Sequence, residues 1–184
     1  MSSIIAISGS PSAQSRTAVA VGKALERLSS IGFDVRHIAV RDLPAEDLLA
    51  GRTDSPALSD AIGAVAAADG VIVATPVYKA AYTGLLKSFL DLLPQSGLAG
   101  KAVLPLVTGG TNAHVLAIDY ALRPVLTSLG ARHVVAGCFL LDQLIDRQAD
   151  GTATLRPEAE LRLFDVVGQL TEALPVGSTL AASR

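Results

Sequence analysis

The sequence predicts an α/β domain: a five-stranded parallel sheet in the order 2-1-3-4-5, with helices on both faces. Three observations carry that expectation. Short apolar runs and helical stretches alternate strictly, about five times along the chain, and this alternation places helices over both faces of a parallel sheet. The first, third and fourth runs are near-continuously apolar, as strands buried on both sides must be. The second run carries Asp34, Arg36 and His37 and belongs at an edge. Together these features give the doubly wound order.

Each element has a local reason. Ser3-Ile4-Ile5-Ala6-Ile7 is the first strand, stopped by a Gly/Ser/Pro cluster. Arg16 to Ile31 has helical spacing, with Val21, Ala24, Leu25 and Leu28 on the apolar face and Gly32 as C-cap. Phe33 to Val40 alternates and forms the second strand, and Asp42 to Asp54 is irregular. Ser55 should cap a helix reaching about Ala68, with Pro56 in the first helical position. Gly70 to Ala74 is the third strand, Thr83 to Leu93 a helix ended by Pro94, and Lys101 to Val107 the fourth strand. A long helix over Ala113 to Leu129, a fifth strand over His133 to Leu140 and a last helix over Glu158 to Leu174 complete the set. Residues 1–174 make one domain; residues 175–184, small and polar, read as a flexible tail.

Bulk properties exclude several functions. The 184 residues fit one domain, and half are hydrophobic, enough for a sizeable core. A net charge of -2 without a basic block argues against nucleic acid. No apolar run approaches the roughly 20 residues that span a bilayer, and no signal peptide is visible, so a cytoplasmic protein is expected. The single cysteine, Cys138, rules out an internal disulfide and disfavours a cysteine metal cluster. It lies in the apolar run Val134 to Leu141 and reads as a buried core thiol. His37, His114 and His133 are too scattered to suggest a metal site.

In such a sheet, ligands bind beyond the carboxyl ends of the strands, at the switch point. The loop after the first strand, Ser8 to Thr17, holds four serines, a threonine and Arg16 at a helix amino terminus, a setting for a phosphate. It matches neither the nucleoside-triphosphate loop nor the dinucleotide fingerprint. The loop after the third strand, Ala74 to Gly84, gathers Pro76, Val77, Tyr78 and Tyr82 and suits a flat heterocycle. The loop after the fourth, Thr108-Gly109-Gly110-Thr111-Asn112, lets backbone approach a ligand. A capped helix, two surface tyrosines or a tight turn would explain each loop singly. Their joint occurrence at neighbouring strand ends points to one site.

These residues bear a resemblance to a known family. Gly9-Ser10-Pro11-Ser12 with Ser15-Arg16-Thr17, Pro76-Val77-Tyr78-Lys79-Ala80-Ala81-Tyr82 and Thr108-Gly109-Gly110-Thr111 resemble the NADPH-dependent FMN reductases. More narrowly, they resemble the reductase component of two-component alkanesulfonate monooxygenase systems. The likeness continues through Asp54 to Leu58, Leu90 to Pro94 and Asp119 to Leu122. It implies a flavodoxin-like fold and reduction of FMN by NADPH, with NADH also possible. The reduced flavin would diffuse to a partner monooxygenase that desulfonates organosulfonates. It also implies that Ser10, Ser12, Ser15, Arg16 and Thr17 surround the FMN phosphate. Pro76, Val77, Tyr78 and Lys79 would line the isoalloxazine, and Thr108, Gly109, Gly110 and Thr111 its other edge. Related members often carry Arg where this chain has Ser12, a candidate for reading the nicotinamide 2′-phosphate, so the electron donor stays open.

Hydride transfer between two cofactors needs orientation rather than a side-chain acid or base, so no catalytic side chain is assigned. Backbone amides near Val77, Tyr78 and Gly109-Gly110 are the expected donors to the reduced flavin. In the helix from Ala113, the stripe Val115, Ile118, Leu122, Val125, Leu129 should pack on the sheet, with Leu116, Tyr120 and Leu126 left for a subunit contact in a dimer or tetramer. Pro124 should force a kink or π-bulge around Tyr120, and in the family this resembles, a tyrosine there sits in a π-helix at a tetramer interface. Two alternatives stand beside it: an enzyme with tightly bound FMN that reduces quinones, azo compounds or metal oxyanions, which shares all three loops, and a non-enzymatic flavodoxin-like electron carrier. The mild acidity disfavours the carrier.

Overall fold

The computed structural model describes residues 2–12, 14–148 and 153–175; most of the expected tail, 176–184, lies outside them. Strands β1 (Ser3–Ser8), β2 (Asp34–Ala39), β3 (Gly70–Pro76) and β4 (Ala102–Gly109) form a parallel sheet in the order β2-β1-β3-β4. The fifth place is taken in two pieces, β5 (His133–Val134) and β6 (Cys138–Leu141), both parallel to β4. The predicted order is the observed one, with β2 at the edge.

Alternation along the strands divides the core. Ile5, Ile7, Val71, Val73, Val103 and Val107 face α3 (Pro56–Ala67), α4 (Gly84–Leu90) and α5 (Arg123–Ser128). Ile4, Ala6, Ile72, Ala74, Leu104 and Leu106 face α1 (Arg16–Ser30) and α6 (Pro157–Glu172). Both faces of β1, β3 and β4 are thus dry, which is why those runs are continuously apolar.

The expected single fifth strand is corrected to two short ones, and Pro105 explains the break. The carbonyl of Val103 accepts from Val135 N at 2.9 Å, so by strand alternation residue 105 also turns towards the fifth strand. As proline it has no N–H to offer. The chain leaves the ladder between β5 and β6 and turns at Gly137, with φ of 89°. The Arg123 guanidinium donates to the freed carbonyls of Val134, Val135 and Ala136 at 3.1, 3.2 and 3.2 Å.

The long helix from Ala113 is also corrected. It consists of a 3₁₀ turn at Asn112–His114, a π-helix at Ile118–Leu122 and α5. The π-bulge foreseen from Pro124 is present. Its wider turn advances the phase of everything that follows, so Leu126 is buried rather than outward-facing. Val115, which lies before the π-helix just past the 3₁₀ turn, is exposed rather than packed. Three smaller departures complete the picture. The stretch expected to be irregular holds a 3₁₀ turn (Val40–Asp42) and α2 (Ala45–Ala50). Ser55 has the extended backbone of an N-cap, but its hydroxyl caps nothing. An antiparallel hairpin, β7 (Ile145–Arg147) with β8 (Ala153–Leu155), was not anticipated. Among the described residues no helix is long and apolar enough to cross a membrane.

Candidate active site

The buried polar residues are Ser8, Ser10, Ser15, Thr17, Thr75, Thr83 and Thr108. All sit at the carboxyl ends of β1, β3 and β4 or in the segments that follow them. A buried hydroxyl must find a partner or lose free energy, and these partners tie the three loops together. Thr17 Oγ1 and Thr108 Oγ1 lie 2.7 Å apart, joining the first loop to the end of β4. Thr83 Oγ1 donates to the Gly9 carbonyl at 2.5 Å, and Thr83 N donates to Thr75 Oγ1 at 3.1 Å. Val77 N donates to the Thr108 carbonyl at 2.8 Å and Gly9 N to that of Ala74 at 2.9 Å. The three predicted loops are therefore one hydrogen-bonded unit.

The first loop has the features of an anion cradle. Ser15 caps α1, accepting from Ala18 N at 3.1 Å. Arg16 and Thr17 occupy the first two helical positions, where amides lack intrahelical acceptors. Ser10 is buried behind them; Ser12 and Arg16 are exposed at the rim. Gly9 has no space for a side chain, since a Cβ would lie 2.3 Å from Leu86 Cβ and 2.8 Å from Leu86 Cα. Helix α4 thus packs directly on the loop.

The second loop is a tight hairpin. Tyr78 and Ala81 exchange both backbone bonds, at 2.9 and 3.2 Å, around Lys79 and Ala80, which have φ of 50° and 67°. Two successive left-handed positions define a type I′ turn, a form that favours Asn-Gly and costs other residues free energy. Such strain at a strand end marks a candidate functional turn. The turn also corrects an expectation: the amides of Val77 and Tyr78 are already committed, so neither is free for a ligand. The amides of Lys79 and Ala80 have no acceptor among the described residues. Tyr78 is half exposed at 50 %.

The third loop separates its glycines. A Cβ on Gly109 would press on the Phe139 ring at 3.0 and 3.3 Å, so this glycine serves packing. Gly110 is exposed, with only Asp142 Oδ2 near at 3.9 Å, and leaves its backbone approachable. Thr111 caps the 3₁₀ turn, accepting from Ala113 N at 3.3 Å. Beside this loop, Ala80, His114, Leu116 and Tyr120 share the lining of a shallow depression of about 270 Å³. The hairpin turn and the π-helix therefore border the same depression.

Residues not expected from sequence complete the site. Arg41 Nη1 donates to the Ser12 carbonyl at 2.6 Å, and Arg147 Nη1 to Gln14 Oε1 at 3.0 Å. Ser8 Oγ pairs with His37 Nε2 at 2.8 Å. The outer part of the His37 ring meets water, but shielding of its inner edge, and then the Arg41 charge, hold the imidazole below its ordinary value. Apart from the alternation that puts Arg41 just beyond an edge strand, no local signal links positions 41 and 147 to residues 12 and 14. Cys138 is buried beside Leu106, and burial pushes its thiol up to about 12, so it is an inert core residue.

A doubly wound parallel sheet whose switch point carries a hydroxyl-lined anion loop, a tyrosine turn and a glycine loop defines the flavodoxin-like class of flavoproteins. Residues 2–146 match the family of NADPH-dependent FMN reductases. An FMN reductase (NADPH) of Pseudomonas putida KT2440 is 48 % identical over 164 residues, covering 88 % of this chain and 83 % of that one. An FMN reductase (NADPH) of Escherichia coli K12 is 51 % identical over 144 residues, covering 78 % and 75 %. The crystal structure of an NADH:FMN oxidoreductase (EMOB), apo form, superposes with a TM-score of 0.87 at 45 % identity, over 97 % of this chain and 93 % of that one. The chain belongs to the NADPH-dependent FMN reductase family: it is an NAD(P)H-dependent FMN reductase, an oxidoreductase that works with FMN and a nicotinamide nucleotide.

Proposed function

We propose that this enzyme reduces FMN as a diffusing substrate in the cytoplasm and hands the reduced flavin to a flavin-dependent monooxygenase that desulfonates organosulfonates. The observation that carries the diffusing-substrate reading is the openness of the ring side of the site. Tyr78, Lys79, Ala80, Gly110 and Thr111 are all exposed, so little protein would cover a flavin there. Its buried end is the hydroxyl-lined loop.

The residues fit the flavin. Buried Ser10 and the free amides of Arg16 and Thr17, with the Arg16 charge, suit a phosphate, while Ser12 and the capping Ser15 shape the loop. Pro76, Val77 and the Tyr78 ring offer an apolar wall to a flat ring. The amides of Lys79, Ala80 and Gly110 can donate to its polar rim. When bound, FMN supplies the two-electron acceptor; the protein's part is to hold ring and nicotinamide face to face and to place donors where negative charge develops. Thr108 acts through Thr17 and Val77 as a brace, and Thr111 shapes the approach to the ring.

The donor is NADPH in the relatives from Pseudomonas putida and Escherichia coli and NADH in the solved relative; we assign NADPH first. The exposed Tyr120 (79 %), Leu116 and Val115 beside the hairpin support a homo-oligomer joined through the π-helix. One experiment addresses the central reading: purify the protein, record its visible spectrum, and assay NADPH and NADH oxidation with FMN, FAD and riboflavin. Colourless protein that turns over added FMN supports it. Yellow protein retaining one flavin per subunit overturns it in favour of a tightly bound cofactor.

A further inference from the structure

A loop whose amides converge on an anion must turn carbonyls away from it, and each outward carbonyl needs a donor. The Ser12 carbonyl finds one in Arg41. This side chain starts from the 3₁₀ turn Val40–Asp42 beyond β2, crosses to the loop after β1 and bonds at 2.6 Å. Its side chain is 24 % exposed, its stem packed on the protein and its guanidinium at the surface end of the bond to Ser12. Among the described residues its one carboxylate partner, Asp42, is 3.4 Å away and 70 % exposed, a weak screen. The bond to a neutral carbonyl leaves most of the positive charge acting on the loop. The same loop is held from its other flank by Arg147 on Gln14.

We propose that Arg41 is a positioning residue for the flavin phosphate: it fixes the Ser12 carbonyl outward, turns the loop amides inward and adds positive potential to the cradle. This rests on the reading that the phosphate of FMN sits in the loop Ser10–Thr17. Arg41 is bonded to the first loop, the end assigned to the phosphate, so its effect is expected only for ligands that carry the phosphate. A residue that merely stabilised the fold would weaken FMN and riboflavin alike.

Titration of flavin fluorescence with protein, using FMN and riboflavin in parallel, separates these cases. Arg41→Ala should weaken FMN about tenfold, the scale of one charge-assisted hydrogen bond. Riboflavin should stay within about twofold on the same scale. Arg41→Lys, which restores charge and a donor, should recover part of the FMN affinity and also keeps the test open should the alanine variant fold poorly. Equal losses for both flavins, or no loss, overturn the proposal. Arg16→Ala is the control: if it shifts the FMN-to-riboflavin ratio and Arg41→Ala does not, Arg41 has no positioning role and the phosphate loop stands. If neither shifts the ratio, the loop assignment itself fails, and the role of Arg41 with it.

Discussion

Replacing Gly9 by alanine tests how rigidly the anion loop is built. The new Cβ would sit 2.3 Å from Leu86 Cβ, 2.8 Å from Leu86 Cα and 3.0 Å from Leu86 N. Carbon atoms rest at about 3.5–4.0 Å, so α4 must retreat by roughly 1 Å or more. Two of the obstructing atoms are backbone, and the third is a Cβ that any residue but glycine retains. No rotamer relieves the contact. Retreat of α4 would also pull on Thr83, which caps that helix and holds the Gly9 carbonyl. Overpacking of this kind costs about 1–3 kcal/mol where side chains can adjust; here the upper end, about 3 kcal/mol, is expected. For a chain of this size that lowers the melting temperature by roughly 6–12 °C. Thermal unfolding checks it, with FMN titration on the folded protein expected to show weakened binding. Leu86→Ala should not rescue Gly9→Ala, because the obstructing atoms remain. A Gly9→Ala protein that melts within about 2 °C of the parent, or a clean rescue by Leu86→Ala, would refute the packing argument.

Three further outcomes are expected. Thr17→Val leaves the buried Thr108 hydroxyl unpaired and should cost about 1–3 kcal/mol in urea unfolding, whereas Thr17→Val with Thr108→Val should cost clearly less; additive losses would mean the two hydroxyls are not coupled. Changing Lys79-Ala80 to Asn-Gly relieves two left-handed positions and should raise stability by about 1–2 kcal/mol or more, seen as a higher urea midpoint; an unchanged midpoint would argue against the type I′ turn. The lowered pKa of His37 means that the unfolded chain takes up a proton first as pH falls. Its contribution is therefore complete above the ordinary value of 6.5 and declines below it. His37→Asn should flatten the fall in stability between about pH 7.5 and 5.5, by a modest amount because the outer ring meets water; an unaltered pH profile would exclude the effect.

The parts of the molecule legible in sequence are those written in local periodicity. Continuous apolar runs marked β1, β3 and β4, charged residues marked β2 as the edge, and Pro124 announced the π-turn at Ile118–Leu122. The three loops could be grouped because the topology of a doubly wound sheet makes consecutive strand ends neighbours. What failed depended on contacts between distant segments. Gly137 is the local mark of the break, since an isolated glycine in a strand run permits such a turn, but it does not reveal the cause, a missing N–H on Pro105 in the adjacent strand, or the repair by Arg123. Leu126 was assigned outward because its phase was counted without the extra residue of the π-turn.

The same division runs through the site. Composition by itself determined that the first loop could hold an anion, since serine hydroxyls at a helix start carry that property wherever they are placed. Only the folded chain decided how the loop is braced. Thr17 meets Thr108 across 91 positions, and Arg41 reaches Ser12 across 29. It also decided which amides are already committed, because Val77 and Tyr78 spend theirs on Thr108 and Ala81, whereas those of Lys79 and Ala80 have no acceptor among the described residues. A hydrogen-bond donor is a property of a residue, but whether it is available depends on the partner the fold brings to it.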